Sequence, residues 1–217
     1  MPHHATMTDR FAAALAAMPL VAILRGVRPQ EVVEIGVSLA NAGFRLIEVP
    51  LNSPDPFASI AALRQALPAE VLVGAGTVLA FGQISLLCDC GAELAVMPHA
   101  DVNLIRAAKS AGLLCVPGIA TPTEAFAALA AGADALKIFP AELVTPAVLK
   151  AMRAVLPKGT GLLPVGGIQP ESIKPYVDAG ATGFGLGSAL YKPGMTAQQT
   201  SATARLFVAA WRVVHPV

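Results

Sequence analysis

Lys137 is the residue whose type and setting most directly suggest covalent chemistry. The chain has six lysines, and Lys109, Lys150, Lys158, Lys174 and Lys192 fall in helix-like or loop stretches where an ammonium meets water. Lys137 stands instead inside the apolar run Ala135-Leu136-Lys137-Ile138-Phe139-Pro140. Read as a strand, alternation sends Leu136 and Ile138 to one face and Ala135, Lys137 and Phe139 to the other. An ammonium enclosed on that second face is costly to desolvate, so its pKa falls, and a neutral amine can attack a carbonyl carbon. The plainer reading is a lysine paired with an interior carboxylate. Glu48, in Leu46-Ile47-Glu48-Val49-Pro50, offers one, because Ile47 and Val49 leave it on the matching face. Amine and carboxylate converging in one interior suggest proton transfer around a covalent intermediate, and the two readings are compatible.

Other candidates sit at run ends. Arg25 closes Ile23-Leu24-Arg25 and suits a carboxylate or phosphate, whereas Arg28 lies further into the loop and reads as solvated. Val165-Gly166-Gly167 and Leu186-Gly187-Ser188 end two late runs. Bare backbone N–H groups there, with a short helix expected over Ser188–Tyr191, could cradle a phosphate. Gly74-Ala75-Gly76-Thr77 lacks the spacing of a dinucleotide loop, but Thr77 has a hydroxyl to offer a carboxylate. His99 could act as acid or base or simply be a solvated loop residue. Cys88-Asp89-Cys90 has no second ligand pair and falls in a helix-like segment, so the cysteines read as buried thiols. With only His99 near the run ends, no metal site is expected, and the lysine route requires neither metal nor cofactor.

These residues must be held by a repeating scaffold. Eight apolar, β-rich runs end at Arg25, Pro50, Gly76, Pro98, Pro117, Pro140, Gly167 and Gly187, at intervals of 19 to 27 residues. Each interval fits one strand and one crossover helix. Helical spacing recurs over 31–41, 55–66, 101–110, 123–130, 146–155 and 171–178, often opened by Ser, Thr, Asp or Pro and closed by Ala-Gly. Further helices are expected over 9–17 and 197–213. Eight units without a dinucleotide fingerprint predict a closed (β/α)8 TIM barrel with an extra N-terminal helix, its chemistry at the C-terminal strand ends. At 217 residues it would be a lean one. Residues 8–217 read as a single domain, and 1–7 (MPHHATM) as a disordered leader or cloning remnant. The composition is 55% apolar and 13% charged, with net charge +1 and no basic cluster, which argues against nucleic acid as partner. No apolar run reaches the roughly 18 residues of a membrane span. Three cysteines without secretory features indicate reduced thiols in the cytoplasm.

Six segments together resemble the 2-keto-3-deoxy-6-phosphogluconate and -galactonate aldolases, a family of class I aldolases. They are PLVAILRGV (Pro19–Val27), IEVPLNSP (Ile47–Pro54), VGAGTVL (Val73–Leu79), LKIFPAE (Leu136–Glu142), PVGGI (Pro164–Ile168) and GLGSALY (Gly185–Tyr191), in family order. The resemblance implies that Lys137 forms the Schiff base and that Glu48 is the acid/base. It places the phosphate on Gly166, Gly167, Gly187 and Ser188, the pyruvyl carboxylate near Thr77 and the substrate's mouth contact at Arg25. It further implies a cytoplasmic homotrimer without cofactor, acting on a phosphorylated 2-keto-3-deoxy sugar acid. The galactonate branch is the nearer match, because gluconate-type members more often carry Thr where Val165 stands. The gluconate epimer or 4-hydroxy-2-oxoglutarate remain alternative substrates. Rival readings are a phosphate-binding barrel isomerase or decarboxylase, in which Lys137 is only electrostatic, and a sugar-phosphate sensor without turnover.

Overall fold

The computed structural model describes residues 6–215. Residues 1–5 of the expected leader lie outside them; Thr6 and Met7 form the cap and first residue of α1 (Met7–Ala17). Thr6 Oγ1 accepts from Asp9 N–H at 3.1 Å, and the Asp9 carboxylate accepts from Thr6 N–H at 3.0 Å. Each satisfies a donor that the helix start would otherwise leave bare.

The strands are β1 (Leu20–Ile23), β2 (Leu46–Pro50), β3 (Leu72–Gly76), β4 (Leu94–Val96), β5 (Leu114–Val116), β6 (Gly118–Ile119), β7 (Leu136–Ile138), β8 (Leu162–Pro164) and β9 (Phe184–Leu186). Between and after them run α2 (Pro29–Ala42), α3 (Pro56–Ala66), α4 (Gly82–Asp89), α5 (Val102–Ser110), α6 (Pro122–Ala130), α7 (Pro146–Val155), α8 (Ile173–Asp178) and α9 (Ala197–Val214). Proline at the first turn opens α2, α3, α6 and α7, where a missing N–H costs nothing. The Ala-Gly pairs turn the chain as expected: Gly43, Gly112, Gly132 and Gly180 all have positive φ.

The closed eight-stranded barrel is not what forms. All strand pairs are parallel, but they make two sheets, one ordered β5-β4-β3-β2-β1-β9 and the other β6-β7-β8. The fifth run ends at Pro117, which has no N–H for a ladder, and the chain just beyond that run adds the two-residue β6 to the other sheet. At the other seam, β8 and β9 are joined by one isolated bridge, Val165 to Gly185. Beyond it Gly166 (φ 110°) and Gly167 (φ 62°) leave the extended conformation, so pairing cannot continue. The fold is thus a curled α/β structure of two sheets.

Alternation along the strands separates two apolar clusters. Ile47, Val49, Leu136 and Ile138 pack outward with helix residues such as Ile60, Leu63 and Leu149. The inner cluster gathers Val21, Leu46, Leu72, Leu94, Leu114 and Leu163 around Phe11 and Ala14 of α1. The expected N-terminal helix therefore lies against the N-terminal ends of the strands. Glu93 fastens it there: Arg10 Nη1 is 2.5 Å and Arg64 Nη1 2.6 Å from its carboxylate oxygens, which also accept from Val73 N–H at 3.1 Å. Among the described residues, no helix is long and apolar enough to cross a membrane.

Candidate active site

Strand register places the two central groups on different sheets. Glu48 lies on β2, in register with Ile23 of β1 and Gly74 of β3. Lys137 lies on β7, in register with Gly118 of β6 and Leu163 of β8. Both point into the interior, as alternation requires, and are 2% and 6% exposed. The glycine-rich end of β3 makes room for the carboxylate, since a β-carbon on Gly76 would lie 1.7 Å from Glu48 Oε2.

Burial dominates the electrostatics. It pushes the Glu48 carboxyl up to about 7 from an ordinary 4.5, against the opposing pull of the Lys137 and Arg25 charges. It lowers the Lys137 amine below its ordinary 10.5; Glu48 opposes that shift and Arg25 reinforces it. Neither side chain makes an ion pair within 4.0 Å of any described residue. Glu48 Oε2 is buried without a hydrogen-bond partner among the described residues. The plain ion-pair reading therefore has no direct contact to rest on. Lys137 Nζ instead sits 4.6 Å from the centroid of the Phe139 ring, close enough for the ring face to favour a cation there.

Seven of the nine residues singled out in the sequence line one cavity of about 140 Å³: Arg25, Lys137, Val165, Gly166, Gly167, Gly187 and Ser188. Glu48 lies beneath it, lining a second space of about 20 Å³ together with Lys137 and Val165. Thr77 lines neither. It has φ 56°, a conformation rare for a β-branched residue and a sign of local strain. A larger pocket, about 560 Å³ between α2 and α9, contains none of the nine.

At the mouth, Arg25 Nη1 donates to Asn52 Oδ1 at 2.7 Å, and Gly26 N–H donates to Ser53 Oγ at 2.9 Å. These bonds tie the loop after β1 to the loop after β2. Asn52 was visible only as part of LNSP; nothing in its local pattern pointed to Arg25, which is 27 positions away. Ser188 opens a hydrogen-bonded turn rather than the expected short helix, with Leu190 and Tyr191 N–H both donating to the Gly187 carbonyl (2.8 and 3.0 Å). The N–H groups of Ser188 and Ala189 have no acceptor among the described residues. Arg28 is exposed and pairs with Glu31 at 3.2 Å. His99 is exposed on the loop after β4 and lines neither the mouth cavity nor the space beneath it. The buried-thiol reading holds for Cys115 but not for Cys88, which is exposed, or Cys90, which is half-buried; on α4 the buried positions are Ile84 and Leu87.

An inward lysine with a lowered pKa in one cavity with the glycine loops, and a protonatable carboxylate in the space beneath it, suit carbonyl chemistry on an anionic substrate. Comparison with known proteins bears on which. The family described as KDPG and KHG aldolase matches residues 12–206. The chain belongs to this family. It is an aldolase, a carbon–carbon lyase. A "Probable 2-dehydro-3-deoxy-6-phosphogalactonate aldolase" of Rhizobium meliloti (strain 1021) is 46% identical over 197 residues, covering 91% of this aldolase and 93% of the relative. The 2-dehydro-3-deoxy-6-phosphogalactonate aldolase of Escherichia coli (strain K12) is 45% identical over 195 residues, 90% and 95% of the two chains. A solved structure described as native KDPGal superposes with a TM-score of 0.90 at 44% identity, covering 92% of this aldolase and 97% of that chain.

Proposed function

We propose that this aldolase cleaves 2-dehydro-3-deoxy-6-phosphogalactonate to pyruvate and D-glyceraldehyde 3-phosphate through a Schiff base on Lys137. The observation that carries this reading is the buried Lys137 amine, lowered in pKa, in the same cavity as Arg25 and the two glycine turns. The galactonate relatives at 45% and 46% identity support the substrate.

In this mechanism the neutral Lys137 amine adds to the C2 ketone. The carbinolamine loses water as Glu48 transfers protons, leaving an iminium. The C4 hydroxyl then gives up its proton to the Glu48 carboxylate, the C3–C4 bond breaks, and its electron pair moves into the iminium to form an enamine. C4 departs as the aldehyde of glyceraldehyde 3-phosphate. Protonation of the enamine at C3 and hydrolysis release pyruvate and restore the amine. A carboxyl near pKa 7 exchanges protons in both directions at neutral pH. The phosphate would lie on Gly166, Gly167, Gly187 and Ser188, where the backbone is most open at Gly187, with nothing within 4 Å of a β-carbon built there. Arg25 would face the substrate anion at the mouth, and Thr77 the pyruvyl carboxylate. Val165, apolar and beside Lys137, would bias the choice between C4 epimers. Binding energy from the distant phosphate positions C2 against the amine. A cytoplasmic, cofactor-free homotrimer serving galactonate breakdown completes the reading.

The test is borohydride reduction in the presence of pyruvate, followed by peptide mass mapping. A reduced pyruvyl adduct on Lys137, absent in Lys137→Ala, is the expected result. An unmodified wild-type chain would overturn the Schiff-base mechanism and return Lys137 to an electrostatic role.

A further inference from the structure

Phe11 belongs to α1, outside the strand–helix repeat, yet it is only 4% exposed and sits within the inner cluster beside Val21, Leu94 and Leu163. That cluster fills the N-terminal ends of the strands, the end away from Arg25 and Ser188. The space of about 20 Å³ over Phe11 is bounded on its other side by Glu48 and Lys137. It is large enough for no more than about one water. Its remaining walls are Val, Leu and Ile side chains and Gly185, so the two ionisable groups meet polar surroundings only from above. Among the described residues, Arg25 is the one other charged side chain lining either space. Arg10, one residue before Phe11, is turned away to Glu93.

We propose that Phe11 is a positioning residue for the aldol reaction: by closing the floor of the interior, it keeps water from the underside of Glu48 and Lys137 and holds the pair in the protonation states that turnover needs. Removing the ring would let water reach both groups. The carboxyl would then become a stronger acid and the amine a stronger base. The amine would be charged over more of the neutral range, and an ammonium cannot attack a ketone. The catalytic consequence rests on the lysine-imine reading above, whereas the dryness of the floor does not.

The test is a carboxyl titration by NMR with ¹³C-labelled glutamate, the Glu48 signal being assigned by its loss in Glu48→Gln. Wild type, Phe11→Ala, Phe11→Val and Phe11→Leu are compared, each first shown to be folded. The expected result is a Glu48 midpoint that falls from about 7 by a unit or more in Phe11→Ala and stays in place in Phe11→Leu. In parallel, kcat/KM of Phe11→Ala at pH 7 drops about tenfold and recovers at higher pH, with KM at the optimum unchanged. Should Phe11→Ala not fold, Phe11→Val shows a smaller shift in the same direction. A Glu48 midpoint unmoved in a folded Ala or Val variant would overturn the proposal. Failed borohydride trapping in wild type would sink the imine reading alone, and the titration would still decide the role of the floor.

Discussion

Gly76 and Glu48 are in such close contact that position 76 has no room for a side chain: a β-carbon there would lie 1.7 Å from Oε2 and 2.3 Å from Cδ. The carboxylate is held where it is by a missing methyl on the neighbouring strand. Gly76→Ala should therefore push Glu48 off its position. The expected outcome is a fall in kcat of roughly a hundredfold with little change in KM, as for loss of a positioned acid/base. Steady-state kinetics of the folded variant check this, and wild-type kcat would show that the Glu48 position is not critical.

Thr77 holds φ 56°, at a cost of order 1–3 kcal/mol for a β-branched residue. Thr77→Gly relaxes the backbone but frees the unfolded chain. The net gain should be about 1 kcal/mol in urea unfolding. If the hydroxyl serves the pyruvyl carboxylate, the same variant should raise KM about tenfold. A stabilised variant with unchanged KM would remove Thr77 from the binding site.

Glu48 and Lys137 should leave opposite marks on stability. The Glu48 pKa is raised from 4.5 to about 7, so between those values the folded chain binds the extra proton, and stability falls as pH rises through that window. Glu48→Gln should gain on wild type across it, by at most roughly 3 kcal/mol and less where Lys137 compensates. The Lys137 pKa is lowered, so the folded chain binds fewer protons just below 10.5, and stability falls as pH drops from there. Lys137→Met should outlast wild type at neutral pH and lose that lead by about pH 10.5. Urea titrations at several pH values read both, and gains independent of pH would contradict the buried-charge account.

Val165 lines both the mouth cavity and the space below it, and its Cγ2 would lie 2.6 Å from a β-carbon on Gly185. It thus packs tightly against Gly185, in the two spaces that Lys137 also lines. Val165→Thr keeps the shape and adds a hydroxyl. The expected result is a shift of about tenfold or more in kcat/KM toward the gluconate epimer, measured as pyruvate release from the two C4 epimers side by side. An unchanged ratio would take specificity away from this position.

Much of this arrangement could be read from the chain. Alternation around Lys137 and Glu48 gave their direction, because each sits between two residues that belong to the outer cluster. The paired glycines at 166–167 and 187 marked the cavity rim. Closure of the sheet could not be read, because run counting registers apolar stretches and not whether their N–H groups find partners. Pro117 ends one run without saying that the next two residues join a different sheet. Phe11 looked like any apolar residue on an amphipathic helix, since its partners, Val21 and Leu163, are distant in sequence. The turn at Ser188 has helix-like residues but only three before Tyr191, too few to settle into a helix.

The seam between β8 and β9 has one further consequence. A paired strand spends its amides on its neighbour and offers nothing to a visitor. Here the ladder stops after one bridge, and the chain beyond it on the β9 side keeps unspent donors at Ser188 and Ala189. Lys137 rides on the sheet to one side of that gap, Glu48 on the sheet to the other. What would be a defect in a purely structural sheet is here a gap opened by two glycines, with a buried amine on one jamb and a buried carboxylate on the other.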